Sequence, residues 1–232
     1  MSRSLRFGQI SFGLVLFLGV FAVSNSNAQG PLGEILRRMD VYNKSLQSLK
    51  ADVTMVKYNP QLNVSDTTIG STSYLPKTAK RVMYVRIDWT KPVEEQVSVI
   101  GDDYELYRPR LGQVIVGKTS KSKNNASVGG ALGFMNMSKD QLKTNYDVVY
   151  LGEEQISGGT KTWHLQLTPK APTSYKSAEL WVDGDGMPRQ AKIIEQNNDT
   201  TTVLLTNVQR NETIKGDIFK LSYPSSVKKI KA

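Results

Sequence analysis

The chain has 232 residues, 39% of them hydrophobic, with no cysteine and a single histidine, His164. The lack of cysteine excludes disulfides, thiolate zinc sites, iron–sulfur clusters, a cysteine nucleophile and a lipidated N-terminal cysteine, and one histidine argues against His-rich metal sites and a Ser-His-Asp triad. The formal net charge of +9 suits an anionic partner, which could be a membrane surface, a nucleic acid or an acidic polymer.

The first 28 residues have the pattern of a secretory signal peptide. Arg3 and Arg6 form a positive region, residues 10–23 are mostly apolar, and Ser26 and Ala28 occupy the small-residue positions of a cleavage site. We therefore predict export to the periplasm and cleavage after Ala28, which removes two arginines and lowers the formal net charge from +9 to +7. An uncleaved anchor is the alternative, although the apolar run is short for a membrane span.

The periodicity of residues 29–232 predicts two short helices and many strands. Apolar residues recur every three or four positions over residues 31–49, which predicts an amphipathic helix, and a second short helix begins at Ser138. Alternating apolar and polar residues predict strands at 51–55, 67–75, 81–89, 93–100, 104–107, 111–116, 146–151, 163–168, 177–182, 189–196, 202–208 and 218–223. This spacing favours an α+β fold in a single domain: a curved antiparallel sheet that forms an open half β-barrel covered by short helices.

The carboxylate motifs favour structural roles over chemistry. Residues 183–186, Asp-Gly-Asp-Gly, resemble the start of a calcium loop but lack its later carboxylates, so a hairpin turn fits better. Glu94 and Glu95, like Glu153 and Glu154, are neighbours that would point to opposite faces of a strand, so neither pair forms a catalytic dyad.

The remaining candidates for chemistry are equally weak. His164 lies between Trp163 and Leu165 on a predicted strand, where it would face solvent while its neighbours point inward. The Gly-rich residues 129–133 lack the Lys and Ser/Thr of a phosphate-binding loop. The aromatic residues fall mostly on apolar faces, which argues against a nucleic-acid module. We therefore expect no enzyme activity, no cofactor, no metal and no nucleic-acid partner.

An ordered set of short motifs spans most of residues 32–228. They are a first helix at 34–40, an aromatic-x-x-Pro followed by a strand and a Gly turn at 89–102, an aromatic strand with a Pro turn and a Gln at 105–114, a Leu-x-Pro strand ending at 165–170, a strand with an Asp-Gly turn at 180–188 and a closing Phe and Pro at 219–224. Taken together, this set resembles the periplasmic lipoprotein carrier family, LolA, and its relatives.

The resemblance implies an open β-barrel closed by helices, with a hydrophobic interior that binds the acyl chains of lipoproteins. Such a carrier receives lipoproteins from an inner-membrane ABC-type exporter and passes them to an outer-membrane receptor that is itself a lipoprotein. The missing cysteine fits the soluble carrier, which we expect to be a monomer, rather than the anchored receptor. The alternatives are an envelope lipid carrier or a lipoprotein-sensing regulatory module on the same fold. A third alternative, which the motifs favour least, is an exported enzyme that acts on an anionic polymer.

Strand alternation indicates which residues would line such an interior, although an ordinary hydrophobic core would account for the same pattern. We predict that the lining consists of Leu36, Met39, Met83, Val85, Ile87, Trp89, Val97, Val99, Leu106, Leu132, Phe134, Met135, Trp163, Leu165, Leu167, Leu180 and Ile193. The family carrier has an arginine before a proline after the second strand that helps to close its lid. No arginine precedes Pro76 here, so Lys77, Lys80 and Arg81 are the candidate gating residues.

Overall fold

Two helices and one large sheet make up the regular structure of the computed structural model, which describes residues 30–119, 133 and 137–232. The helices are α1, Pro31–Ser45, and α2, Lys139–Asn145. The strands are β1, Leu49–Asn59; β2, Val64–Leu75; β3, Tyr84–Lys91; β4, Glu95–Ile100; β5, Asp103–Arg108; β6, Gln113–Lys118; β7, Tyr146–Gln155; β8, Lys161–Pro169; β9, Tyr175–Asp183; β10, Pro188–Glu195; β11, Thr200–Arg210; and β12, Lys228–Lys231.

The sheet has the strand order β12-β6-β5-β4-β3-β2-β1-β11-β10-β9-β8-β7. It consists of two meanders, β1 to β6 and β7 to β11, which meet where β1 pairs with β11. Every pairing is antiparallel except that of β12 with β6, which is parallel. Within the described residues β7 and β12 are the two edges and do not pair with each other, so the sheet is open. The predicted fold, an open antiparallel sheet with short helices, is confirmed, and the open edges rule out a closed barrel.

One face of this sheet, which we call the inner face, packs against α1. The core cluster joins α1 to residues on β1, β2, β3, β8, β9, β10 and β11. In a flat sheet β3 and β8 would lie roughly 29 Å apart, whereas a helix is only about 10 Å wide. The sheet therefore curves around α1, as the twist of many consecutive strands allows.

Helix α1 forms because its apolar residues share one stripe. Ile35, Leu36 and Met39 are buried with Tyr42 on that stripe, and a proline occupies the first turn. The sequence predicts a helix as far as residue 49, but α1 ends at Ser45 and β1 begins at Leu49. The prediction is wrong at this end because the spacing of the buried Leu46 and Leu49 continues the helical stripe although both residues lie beyond it.

The turn between β9 and β10 packs tightly against α1. Gly186 in this turn has φ +88°, and a Cβ atom there would lie 2.3 Å from the backbone carbon of Arg38. Arg38 also donates a 2.8 Å hydrogen bond from Nη1 to the carbonyl of Gly184. Residues 183–186 thus form a hairpin turn, as predicted, and the turn also holds the helix in place.

The segment after β11 differs from its prediction. Residues 218–223 are predicted to form a strand, but Gly216–Phe219 forms a 3-10 turn on the outer face of the sheet. Phe219 is buried against Tyr84, with ring centroids 5.3 Å apart, and Arg86 donates a 2.9 Å hydrogen bond to the carbonyl of Ile218. The lysine-rich β12 lacks a clear apolar alternation, so the sequence does not predict this strand. No helix in the described part of the chain is long and apolar enough to cross a membrane.

Candidate functional site

The inner face of strands β3 to β6 carries an apolar surface built from cross-strand neighbours. Val97 on β4 pairs with Leu106 on β5, and Leu106 pairs with Ile115 on β6. Val85 and Val99 form the adjacent pair on β3 and β4. Because alternate residues of a strand share a face, these five side chains point to the same side as the core. We call them the apolar wall.

The apolar wall is more exposed than the inner face of β8 and β9 beneath α1. On β8 and β9, under α1, Leu165, Leu167 and Leu180 have no exposed area. All five residues of the wall are only half-buried. Burying an apolar side chain that is still partly exposed to water is favourable, so the wall is suited to take an apolar ligand.

The predicted lining residues fall into three groups in the structure. Those in the closed core are Leu36, Met39, Ile87, Trp89, Leu165, Leu167, Leu180 and Ile193. Those that are half-buried are Met83, Val85, Val97, Val99, Leu106 and Trp163. Leu132, Phe134 and Met135 lie outside the described residues. The prediction omitted Ile115, whose place on β6 follows from its register with Leu106 and from the β5–β6 hairpin that the sequence does indicate.

The candidate gating residues lie in the loop between β2 and β3. Lys77 and Lys80 are exposed. Arg81 donates hydrogen bonds to the carbonyl of Pro76, at 3.2 and 3.4 Å from Nη2 and Nε, and to the carbonyl of Gln47, at 3.3 Å. Arg81 therefore links this loop to the connection between α1 and β1, close to the end of the helix that covers the inner face.

A charged pair lies at one end of the apolar wall. Arg108 follows Leu106 on the same face of β5, and Glu95 precedes Val97 on the same face of β4. The Arg108 Nε atom lies 2.9 Å from Oε1 of Glu95, and the two side chains are 35% and 31% exposed. An ion pair at the end of an apolar surface gives the site one polar end and one apolar end.

Burial raises the pKa of two tyrosines on the inner face. The hydroxyl of Tyr42 on α1 has its pKa raised mainly by burial, and that of Tyr74 on β2 is raised by the same cause. Burial opposes the ionised phenolate because it removes the water that would solvate the charge. The part of the inner face beside α1 is therefore a low-polarity environment.

The single histidine belongs to a polar cluster on the outer face. Its ring nitrogens lie 3.0 Å from Oε2 of Glu154 and 3.1 Å from Oε2 of Glu179, and the ring stacks on Trp181 at 4.2 Å. The Trp181 Nε1 donates a 2.8 Å hydrogen bond to Glu154. His164 thus points away from the inner face, as predicted, but its side chain is only 17% exposed rather than solvated. Among the described residues no group of three potential ligands could hold a metal ion.

Comparison with known proteins gives one family and a set of distant relatives. A model of a protein family described as "-like: Uncharacterized protein" matches residues 93–213. An outer-membrane lipoprotein carrier protein from Actinobacillus succinogenes is 25% identical over 146 residues, which cover 62% of this chain and 63% of the carrier. The chain therefore spans less than two thirds of the carrier's length.

Two solved structures have a similar fold. An uncharacterized conserved protein from Thermus thermophilus has a TM-score of 0.54 and 13% identity, with 87% of this chain and 99% of that chain covered. MucB has a TM-score of 0.52 and 14% identity, with 85% of this chain and 64% of that chain covered. At this level of identity the likeness concerns the fold alone.

Proposed function

The chain belongs to the family whose model matches residues 93–213 and is a distant homologue of the outer-membrane lipoprotein carrier protein, and on this premise we propose that it carries acylated cargo. The cargo is the acyl chain of a lipoprotein or of another lipid, and the protein binds it without changing it chemically. The carrier is a single domain over residues 29–232, exported to the periplasm after removal of residues 1–28. It works between an inner-membrane ABC-type exporter and an outer-membrane receptor.

The half-buried apolar wall is the observation that carries this proposal. Val97, Leu106 and Ile115 lie side by side on three strands and are neither fully covered, as a core would be, nor broken by polar residues. Each methylene removed from water contributes about 0.8 kcal/mol, so a long acyl chain gains on the order of 10 kcal/mol before the costs of ordering it. A wall of this kind supports binding of a long apolar chain better than binding of a small polar molecule.

The curved sheet and α1 supply the rigid part of the carrier. Leu36 and Met39 on α1 are fully buried against the sheet, so this half of the inner face is already filled by the protein itself. The acyl chain then occupies the wall on β3 to β6, beside this core. The candidate gating residue Arg81 binds the carbonyl of Gln47, in the connection that follows α1. A movement of α1 would therefore displace the β2–β3 loop that carries Arg81.

Filling the wall with a larger side chain tests the proposal. The purified protein, without its first 28 residues, is titrated with a fluorescent long-chain acyl probe, and the same titration is made with Leu106→Trp. We expect the wild type to bind the probe and the variant to bind it about tenfold more weakly or worse, because the indole ring occupies the space of the chain. Val149→Trp is the matched control, since Val149 is an exposed apolar residue on the outer face of β7.

Competition identifies the cargo class. A diacylated lipopeptide and a phospholipid are each used to displace the probe from the wild type, and circular dichroism verifies that both variants are folded. Displacement by the lipopeptide supports a lipoprotein cargo, and displacement by the phospholipid alone assigns the carrier to another lipid. A wild type that binds no probe, or equal binding by Leu106→Trp and the wild type, would contradict the proposal.

A further inference from the structure

The polar end of the apolar wall is a row of residues that crosses four strands. Four inner-face residues form one cross-strand row on β3, β4, β5 and β6: Trp89, Glu95, Arg108 and Gln113. The neighbouring row is Ile87, Val97, Leu106 and Ile115. A ligand that lies along the strands over the wall would therefore bring one of its ends to Arg108.

The guanidinium of Arg108 is incompletely satisfied. Its Nε atom is shielded from solvent and makes no hydrogen bond within the described part of the chain, although a Glu95 oxygen is 2.9 Å away. Guanidinium carries five N–H donors in a planar fork, and buried donors in proteins are nearly always paired. Because Nε is closed to solvent and faces Glu95, a ligand would be bound through the terminal N–H groups of this partly exposed side chain.

We propose that Arg108 binds the anionic head group of the acylated ligand, while Glu95 holds the guanidinium in position from the facing strand. The inference rests on the proposed function and specifies its cargo: an amphiphile whose head group is a phosphate or a carboxylate. Such a group matches the fork of an arginine through two parallel hydrogen bonds. The alkyl chain then runs from Arg108 past Leu106 to Tyr104, a path of roughly 13 Å along β5.

The chemistry of Arg108 distinguishes this role from that of a surface ion pair. Exposed ion pairs contribute about 0–1 kcal/mol to stability, so an arginine that served only Glu95 would affect folding slightly and ligand binding not at all. An arginine that binds the head group changes the affinity for charged ligands and leaves the affinity for uncharged ligands of equal length almost unaltered.

The test compares three ligands that share one alkyl chain. Dodecyl phosphate, dodecanol and dodecyltrimethylammonium displace an uncharged fluorescent alkyl probe from the wild type and from Arg108→Gln. We expect the wild type to prefer dodecyl phosphate, and Arg108→Gln to lose about tenfold or more of that affinity, the effect of one charge-assisted hydrogen-bonded group. The affinity for dodecanol should stay within about twofold. Arg108→Lys keeps the charge but loses the planar fork, so its affinity for dodecyl phosphate should lie between those of the wild type and of Arg108→Gln.

The controls separate the head-group role from general effects. Arg110→Gln removes the same charge two residues away, from an exposed position in the 3-10 turn Pro109–Leu111, and should bind all three ligands as the wild type does. Inorganic phosphate alone should displace no probe, since the site binds a head group attached to a chain; displacement by inorganic phosphate would overturn the assignment of an amphiphile.

The outcomes also distinguish this inference from the proposed function. If dodecanol and dodecyl phosphate bind equally, or if Arg108→Gln weakens both alike, the head-group role is wrong while the acyl-chain carrier stands. If neither of them displaces the probe from the wild type, the carrier function itself fails.

Discussion

Glu34 shows how single charges near the start of α1 respond to pH. Its carboxylate contacts Arg37 at 2.7 Å and Arg38 at 2.8 Å, and hydrogen bonds from these two arginines lower its pKa from 4.5 to about 2. A carboxyl whose pKa is lower in the folded state than in the unfolded state stabilises the fold above its unfolded pKa. That stabilisation is lost as the pH falls from about 4.5 toward 2.

Glu34→Gln is therefore expected to flatten the acid limb of the stability curve. The free energy of unfolding, measured with urea at several pH values, should fall less steeply between pH 4.5 and 2 in the variant than in the wild type. The two proteins should approach equal stability near pH 2, and the effect should be small because the side chains are well exposed. Glu94→Gln, at an exposed position in the turn before β4, is the control; parallel curves for Glu34→Gln and the wild type would show that the arginines do not stabilise the charge.

At the residue scale, sequence predicts which face a side chain occupies but not how deeply it is buried. Alternation correctly places Leu106 and Leu165 on the inner face. Leu165 is fully buried beneath α1, whereas Leu106 is only half-buried. The difference depends on where α1 packs, and α1 lies more than 60 residues earlier in the chain than either residue. Arg108 illustrates the same limit, since a search for apolar residues passes over a cation that shares the face of Leu106.

The contact between α1 and the β9–β10 turn is the clearest test at the scale of elements. Gly186→Ala places a Cβ atom 2.3 Å from the backbone of Arg38, in a conformation of φ +88° that residues with a side chain rarely adopt. Either α1 or the β9–β10 turn must therefore shift. We expect a loss of about 2–4 kcal/mol in the free energy of unfolding. Urea denaturation measures this loss.

Gly184→Ala in the same turn is the matched control. A Cβ atom at Gly184 meets nothing within 4 Å, so this variant should unfold almost as the wild type does. Equal stability of the Gly186→Ala variant and the control would mean that α1 does not pack on the turn as described.

Element boundaries were less predictable than the elements themselves. Ser138 caps α2 through a hydrogen bond from the backbone of Gln141 to its hydroxyl, so a local motif fixes where that helix begins, and the prediction is correct. The end of α1 has no such local signal. Residues 218–223 carry apolar side chains at strand spacing, but the burial of Phe219 against Tyr84 favours a 3-10 turn on the outer face. Contacts that are distant in sequence determine this segment, and periodicity does not detect them.

At the scale of the whole molecule, the order of the strands depends on one long-range pairing. Hairpins join neighbours in sequence, so the two meanders follow from turn signals. The pairing of β1 with β11 joins residues such as Val53 and Leu205, and nothing local specifies it. The alternation of residues along single strands predicts the strands but not this pairing, and the resemblance to a known family implies an open barrel without specifying its strand order.

Photochemical labelling tests directly whether the apolar wall binds an acyl chain. The protein without its first 28 residues is irradiated with a long-chain fatty acid that carries a diazirine on its chain, and mass spectrometry locates the adducts. We predict adducts on inner-face residues of β4, β5 and β6, such as Val97, Leu106 and Ile115, that disappear with excess unlabelled fatty acid. Adducts confined to outer-face residues of the same strands, such as Gln96 and Tyr107, or no adducts that the competitor removes, would contradict it.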